Sequence, residues 1–323
     1  MRCLVIRHGA YGDVIMASCV LPYLRRDGYE ITFYTNTRGK EVLQHNPHIK
    51  GFIEHKDDSI PIQDLDEHYD KVARNFDRTV CFTGNTIENE MLWAFPQKEY
   101  FLSHEERRKL VGNKNYYDLH LWHAGYKPKR PQGELYFSKE EKAAVSNFKR
   151  DKHFNIVWAL SGSSVHKAYR YFEPVARAFL DRHKDAWIYT VGDYVSKLLT
   201  FQHERVVNTM HTEISFREAM ILAKYGDLVI GPETGLMLAA GCFKTPKICL
   251  LTHSGKSQLT KYWDNDYSMQ AECECSPCHL LHKYKTTWQD VCELDDMGFP
   301  ACRNHDPQKL LGVMEDVYVQ SQR

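Results

Sequence analysis

The stretch MRCLVIRHGAYGDVIMASCV, residues 1–20, is the part of the sequence that decides the fold class. A short apolar run leads directly into Gly9 and Gly12, and a segment with the apolar spacing of a helix follows, from about Gly12 to Arg26. A buried strand, a tight glycine turn and a helix form the usual first unit of a parallel sheet flanked by helices. The free N–H groups at such a helix start also attract anions. The sequence therefore predicts an α/β protein whose first turn is a candidate binding site.

The same alternation of strand-like and helical segments runs along most of the chain and indicates two domains. A length of 323 residues exceeds the size at which one core stops growing. We expect an N-terminal domain at 1–132, with a helical and basic insertion at about 85–132, and a C-terminal domain at 133–323. Each is predicted to be a doubly wound parallel sheet of the Rossmann type, with ligands beyond the carboxyl ends of its strands. The loops of interest are those after Arg7, Leu160, Gly192, Ile230 and Leu251.

The overall composition excludes several classes of protein. Lysine plus arginine equals aspartate plus glutamate at 42 each, so no global field attracts nucleic acid or an anionic membrane. The apolar runs fall far short of the ~20 residues that span a bilayer, and the first residues lack the features of a signal peptide. We therefore expect no transmembrane segment and a cytoplasmic location, with peripheral contact at the inner membrane as a further option.

Asp13 lies directly after the two glycines of the first turn. The turn lacks the third glycine of a dinucleotide-binding fingerprint and the lysine and hydroxyl residue of a P-loop. An aspartate in a first helical turn can simply stabilise the helix start. Alternatively, its carboxylate takes a proton from a substrate hydroxyl. Gly9 and Gly12 would then shape the loop that faces this hydroxyl substrate, the acceptor side of the reaction.

A second motif, DLVIGPETGLMLAAG at residues 227–241, places Glu233, Thr234 and Gly235 between a strand and a helix of small residues. The glycine allows a ligand to approach the helix start, and Thr234 can cap the helix or donate a hydrogen bond. Glu233 is expected to accept hydrogen bonds from sugar hydroxyls. This turn therefore predicts a ligand-binding site.

A third motif, ALSGSSVHKAYRYFEPVARAF at residues 159–179, places a serine-rich loop after a strand. Ser161, Ser163 and Ser164 could donate to phosphate oxygens. Lys167 could neutralise the charge that develops on a leaving diphosphate. Serine-rich loops are also common without any function, so this motif alone decides nothing.

Together, in their order and spacing, these three motifs resemble glycosyltransferase family 9, the heptosyltransferase family. The resemblance covers most of the chain outside residues 85–132. It implies a GT-B fold, two Rossmann-like domains facing a cleft, and inverting sugar transfer from a nucleotide diphosphate donor without a catalytic metal. It assigns Asp13 as general base, Lys167 as a ligand of the donor phosphates, and residues 233–235 as the donor-binding turn.

Two positions depart from the pattern of that family. Glu233 stands where the family usually has aspartate, and Leu238 stands where it usually has histidine. One extra methylene shifts a carboxylate by about 1.5 Å, enough to favour a differently shaped sugar. Heptose is therefore one candidate donor, and a lipopolysaccharide or other surface-glycan precursor is the expected acceptor.

Two other functions remain open from the sequence. The basic and aromatic stretch 98–130 suggests a phage-type enzyme that glycosylates hydroxymethylpyrimidine in DNA, against which the neutral net charge counts. The third reading is a non-catalytic protein that binds sugar nucleotides or glycans.

Five of the ten cysteines lie within residues 273–302. In a cytosolic chain such a density favours metal over disulfides. Cys275, Cys278, Cys292 and Cys302 could form a four-thiolate structural zinc site. Their spacing differs from that of a standard two-pair zinc finger, so free or oxidised cysteines remain an alternative.

Overall fold

The computed structural model describes most of the chain, namely residues 1–55, 60, 64–82, 114–146, 152–162, 167–193, 195–210, 214–278, 295–296 and 299–323. Of these residues, those up to Phe137 form one compact unit and those from Ser138 form another. The expected boundary after residue 132 lies a few positions before this division. The expected insertion lies, up to residue 113, outside the described residues.

The first unit is built on a parallel sheet. Its described strands are β1 (Arg2–Ile6), β2 (Glu30–Thr35), β3 (Ile49–Glu54) and β4 (Arg78–Cys81). Its described helices are α1 (Tyr11–Ala17), α2 (Leu21–Arg26), α3 (Thr37–Leu43), α4 (Leu65–Ala73) and α5 (Tyr116–His123). The strand order is β3-β2-β1-β4, and all three pairings are parallel. The apolar run of β1 occupies an inner position, as a strand covered on both faces should.

The helix that follows the first turn is divided, whereas the sequence predicted one helix over residues 12–26. Ser18–Val20 form a 3₁₀ turn between α1 and α2. Pro22 is the cause, because proline has no N–H to donate to the carbonyl of Ser18 and its ring crowds that turn. The carbonyl instead accepts the N–H of Leu21 in the tighter 3₁₀ pattern.

The second unit contains a larger parallel sheet. Its strands are β5 (Phe154–Ala159), β6 (Ala186–Val191), β7 (Val206–Asn208), β8 (Leu228–Pro232) and β9 (Lys247–Leu250). Its described helices are α6 (Lys139–Ser146), α7 (Phe172–Arg182), α8 (Phe216–Tyr225), α9 (Gly235–Gly241) and α10 (Pro307–Ser321). The order is β7-β6-β5-β8-β9, and a separate antiparallel pair joins β10 (Asp295–Asp296) to β11 (Phe299–Pro300).

One core cluster of the second unit lies between its sheet and the helices α7 and α10. Phe154, Ile156 and Trp158 alternate along β5 and are buried in one cluster, because side chains two apart share a face of a strand. The C-terminal helix contributes an apolar stripe at helical spacing, formed by Leu310, Leu311, Met314 and Val317. Asp306 caps this helix, since its carboxylate accepts the N–H groups of Gln308 and Lys309 at 2.8 Å each.

The outer edge of β9 is paired with an irregular segment, residues 265–269. Lys247 N–H donates to the carbonyl of Asn265, and Met269 N–H donates to the carbonyl of Cys249. Lys247 is fully buried there, and its ammonium group donates to the carbonyls of Phe243 and Asp264. Burial lowers the pKa of Lys247 to about 8, although nearby carboxylates act in the opposite direction.

Both sheets have the same topological switch. In the first, the chain adds β2 and β3 on one side of β1 and then β4 on the other; in the second, β6 and β7 lie on one side of β5 and β8 on the other. Loops that follow the two strands at a switch diverge and leave room for a ligand. The described part of the chain contains no helix long and apolar enough to cross a membrane.

Candidate functional site

Asp13 lies in the first turn of α1, beyond the carboxyl end of β1. Its Oδ1 is 3.1 Å from Nη2 of Arg7, and its Oδ2 accepts the N–H of Ala10 at 3.0 Å. Arg7 is 2% exposed and also donates to the carbonyl of Phe82 at 2.7 Å. The side chain of Asp13 is 20% exposed. The carboxylate is therefore held in a fixed orientation and still reaches solvent, as a proton acceptor requires.

Gly9 is required by the geometry around Asp13. Its φ is +128°, and a Cβ atom at this position would lie 2.8 Å from Oδ2 of Asp13. The backbone carbonyl of Gly9 accepts a hydrogen bond from Asn36, which caps α3. Gly12 is buried as the second residue of α1. Both glycines of the predicted loop thus adjoin Asp13, and the capping role of the aspartate coexists with its accessibility.

Arg7 and a set of histidines beside the turn were not predicted from the sequence. Nε2 of His8 lies 2.6 Å from the hydroxyl of Tyr69, and the His8 ring stacks on His55 with centroids 4.9 Å apart. The hydroxyl of Tyr34 lies 2.9 Å from Nδ1 of His55 and 2.8 Å from Nε2 of His68. This histidine network joins the ends of β1, β2 and β3 to α4. His8 and His55 each stand just after a strand, and this position could have identified them as candidate site residues from the sequence.

Lys167 and Thr234 meet at the switch of the second sheet. A Cβ atom at Gly162 would lie 2.7 Å from Cδ of Lys167 and 3.0 Å from Cγ2 of Thr234. Thr234 caps α9, and its hydroxyl accepts the N–H of Met237 at 3.4 Å. Gly235 is the first residue of that helix. Predicted donor-side residues from two motifs are therefore brought together at one edge of the sheet.

Ser161 also lies at this edge, at the start of the serine-rich loop. Its hydroxyl is 2.5 Å from that of Ser196, and Ser196 donates both its N–H and its hydroxyl to Oδ1 of Asp193. These contacts join the loop after β5 to the loop after β6. Ser163 and Ser164 lie outside the described residues.

Glu233 is buried and is held by the loop that follows β9. Its Oε1 accepts the N–H of Thr252 at 2.8 Å and the N–H of Ser254 at 2.9 Å. Its Oε2 accepts the hydroxyl of Thr252 at 3.3 Å and lies 2.6 Å from Nδ1 of His253. The carboxylate expected to face a sugar thus contacts residues of its own chain.

The charge of Glu233 is stabilised despite its burial. Burial alone would raise the pKa of Glu233, but His253, Lys167 and the N–H of Ser254 together hold this pKa well below its ordinary value. An anionic Glu233 is consequently part of the folded structure of the second unit.

The cysteines near the C-terminal end are only partly described. The sulfur atoms of Cys273 and Cys275 are 3.8 Å apart, and Cys278 and Cys302 are buried. Within the described residues, no three side chains of His, Cys, Asp or Glu are grouped to hold a metal ion. Cys292, the fourth predicted zinc ligand, lies outside them.

The topology identifies the class: the chain is an α/β protein with two parallel sheets of the GT-B type, as predicted. It matches the crystal structure of a glycosyl transferase family 9 protein from Veillonella parvula DSM 2008, with a TM-score of 0.72 and 14% identity over 99% of this chain and 97% of that chain. It matches Escherichia coli ADP-heptose lps heptosyltransferase II with a TM-score of 0.70 and 14% identity over 100% of both chains.

A third similar structure is the iron-containing dodecameric glycosyltransferase TibC from enterotoxigenic E. coli H10407. Its TM-score is 0.67, with 12% identity over 99% of this chain and 76% of that chain. No protein-family model and no curated protein matches the chain by sequence. At these identities the likeness confirms the predicted resemblance at the level of the fold.

Proposed function

We propose that the chain is an inverting glycosyltransferase that moves a sugar from a nucleoside diphosphate donor to a hydroxyl acceptor. The observation that carries the proposal is the match, over the whole length of both chains, with a heptosyltransferase structure. The residues at the two sheet edges supply the chemistry that such a transfer needs, namely a base, a cation and a helix start.

Asp13 is the general base in this mechanism. Its carboxylate accepts the proton of the acceptor hydroxyl while the hydroxyl oxygen forms a bond to the anomeric carbon of the sugar. Arg7 and the N–H of Ala10 hold the carboxylate in place, so little reorganisation is needed as the proton moves. Because the oxygen attacks opposite the leaving group, a single displacement inverts the anomeric centre.

Lys167 and the start of α9 stabilise the leaving group. As the bond between the anomeric carbon and the diphosphate oxygen breaks, negative charge develops on the nucleoside diphosphate. The ammonium group of Lys167 neutralises that charge, and the capping turn at Thr234 and Gly235 presents backbone N–H groups. In this mechanism the protein supplies the positive charge, so transfer proceeds without a catalytic metal.

The proposed donor is a nucleoside diphosphate sugar such as an ADP-linked sugar, with heptose as one candidate, and the proposed acceptor is a lipopolysaccharide or other surface-glycan precursor. One of the similar structures is described as an ADP-heptose lps heptosyltransferase, which supports this class of donor and acceptor. A cytoplasmic enzyme with peripheral contact at the inner membrane would meet both.

The direct test is turnover with a panel of nucleotide sugars and acceptors, followed by mass spectrometry. The panel contains ADP-, UDP- and GDP-sugars, lipid-linked oligosaccharides and DNA with hydroxymethylcytosine. We expect a mass shift on a lipid-linked acceptor, an inverted anomeric signal by NMR, and undiminished turnover in EDTA. A shift on the DNA alone would refute the proposed acceptor, and retention of configuration would refute the single displacement.

The variant Asp13→Asn tests the base and excludes a merely binding protein. Loss of a general base lowers kcat by about 100-fold or more, while donor binding should be preserved. Asp64→Asn is the matched control, because Asp64 is an exposed aspartate of the same unit whose side chain makes no capping hydrogen bond. Wild-type turnover in Asp13→Asn would contradict the mechanism.

The cysteine-rich segment is proposed to hold a structural zinc ion through Cys275, Cys278, Cys292 and Cys302. Cys278 and Cys302 are buried, as thiolate ligands of structural metals are, but Cys275, Cys278 and Cys302 are not grouped around one point among the described residues, so a bound zinc ion would have to draw them together. Metal analysis of the purified protein should find one equivalent of zinc, which Cys278→Ser removes. Iron in place of zinc, or no metal, would refute the assignment.

A further inference from the structure

We propose that Glu233 is a positioning residue that fastens the loop Thr252–Ser254 to the start of α9, and that it does not bind the donor sugar. This inference deepens the proposed function and rests on it. It concerns the one acidic residue that the sequence motif places in the donor-binding turn.

The first argument is the number of partners that Glu233 already has. An ionised carboxylate offers about four acceptor positions. Two backbone N–H groups, one hydroxyl and one imidazole nitrogen lie at 2.6–3.3 Å from the two oxygens of Glu233. A sugar hydroxyl would have to displace one of these contacts, in a side chain that is 5% exposed.

The second argument is the state of the loop itself. Thr252, His253 and Ser254 are each buried to 98% or more. On its other side the loop is also bound, because Ser276 donates its hydroxyl to the carbonyl of Thr252 at 2.8 Å and Gln270 donates to the carbonyl of Ser254 at 3.2 Å. The loop is therefore held on one side by the carboxylate of Glu233 and on the other by Ser276 and Gln270.

The third argument is where the fixed loop lies. Glu233 follows β8 directly and precedes Thr234, the cap of α9, while the loop follows β9. Glu233 thus joins the ends of two neighbouring strands beside Lys167. Fixing the loop also fixes the helix start that is proposed to bind the diphosphate.

The fourth argument concerns side-chain length. Aspartate is shorter by one methylene, which withdraws the carboxylate by about 1.5 Å. From contacts of 2.6–2.9 Å, such a shift would break the bonds to Thr252, His253 and Ser254 unless the backbone moved. The extra methylene of Glu233 therefore lets its carboxylate reach the loop Thr252–Ser254.

The variants Glu233→Gln and Glu233→Asp test the proposal, with Glu272→Gln as the control. Glu272 is an exposed acid of the same unit that pairs with Lys309. Hydrogen exchange would be measured by mass spectrometry on peptides that cover residues 247–258. We expect exchange at least tenfold faster in both Glu233 variants and unchanged in the control. Unchanged exchange in the Glu233 variants would overturn the proposal.

Binding of ADP alone separates positioning from sugar contact, because ADP carries no sugar to be transferred. A positioning role predicts affinity for ADP about tenfold weaker in Glu233→Gln, whereas a residue that contacts the sugar would leave it unchanged. A donor lacking one sugar hydroxyl provides a double-mutant cycle. Additive effects on kcat/KM are expected, and a coupling of tenfold or more at any hydroxyl would overturn the proposal.

Thr252→Val provides an answer if the Glu233 variants fail to fold. This change removes one hydrogen bond to Glu233 at nearly constant volume. We expect faster loop exchange and weaker ADP binding, each by a few-fold, and unchanged values would overturn the proposal. If the wild-type protein binds neither ADP nor UDP, the proposed function fails, while the exchange experiment still decides whether Glu233 holds the loop.

Discussion

The substitution Gly9→Ala tests the proposed catalytic role of Asp13 separately from its role in stability. The new methyl group would meet Oδ2 of Asp13 at 2.8 Å, where ordinary contact begins at about 3.4 Å. The carboxylate must therefore retreat by about 0.6 Å. That movement stretches the contacts to Arg7 and to the N–H of Ala10, which now stand at 3.1 and 3.0 Å.

The expected magnitudes follow from this geometry. A residue with a Cβ at φ +128° loses about 1–3 kcal/mol, of which about 0.4–1 kcal/mol is offset by the stiffer unfolded chain. A misplacement of about 1 Å at a reacting group lowers the rate by about 100-fold. We therefore expect kcat of Gly9→Ala to fall by at least about tenfold, with a loss of stability of about 1–2 kcal/mol.

Gly28→Ala is the matched control. Gly28 also has a positive φ, +84°, but a Cβ there would have no neighbour within 4 Å. Both variants should lose similar stability in urea unfolding, and only Gly9→Ala should lose kcat in the transferase assay. If Gly9→Ala keeps the wild-type kcat, or Gly28→Ala loses as much, the reasoning about Asp13 is wrong.

The remaining predictions concern the stability of the second unit, measured by urea unfolding. Gly312→Ala should stabilise by about 0.5–1 kcal/mol, because Gly312 lies inside α10 with open space around it. Gly241→Ala should destabilise by about 1–3 kcal/mol, since its Cβ would lie 2.4 Å from Trp263. Asp306→Ala should cost about 1 kcal/mol through the lost cap; no change would refute that role. Because the pKa of Glu233 is lowered by folding, its ionised carboxylate stabilises the folded state fully above the ordinary value of 4.5. This stabilisation is lost as the pH falls below that value. The deficit of Glu233→Gln should therefore shrink between pH 7 and pH 3; a constant deficit would refute this.

Much of the fold could be predicted because its signals are local. The apolar strand, the glycine turn and the helix are neighbours in the first 20 residues, and Thr234 and Gly235 lie just after a buried strand, separated from it by Glu233. Lys167 could also be identified from the sequence, since its loop follows β5. The break at Pro22 was equally local and was overlooked because the apolar spacing continues through it.

Several contacts that fix the site could not be predicted, because their partners are distant in sequence. Arg7 reads as an ordinary charge at a strand end, and its partner, the carbonyl of Phe82, is 75 positions away. The partners of Glu233 come from a loop 19 to 21 positions downstream. Only the folded sheet brings these groups together, so the sequence shows the residue type but not its partner.

The paired edge of β9 bears on association between copies of the chain. A free strand edge offers a row of donors and acceptors to a strand of another molecule. At β9 the backbone of Lys247 and Cys249 is already bonded to residues 265–269, and within that segment the carboxylate of Asp266 accepts the N–H of Ser268. The opposite edge strand, β7, is only three residues long. The second sheet therefore ends on both sides in ways that oppose growth by strand addition, which protects a sheet of five apolar strands from aggregation.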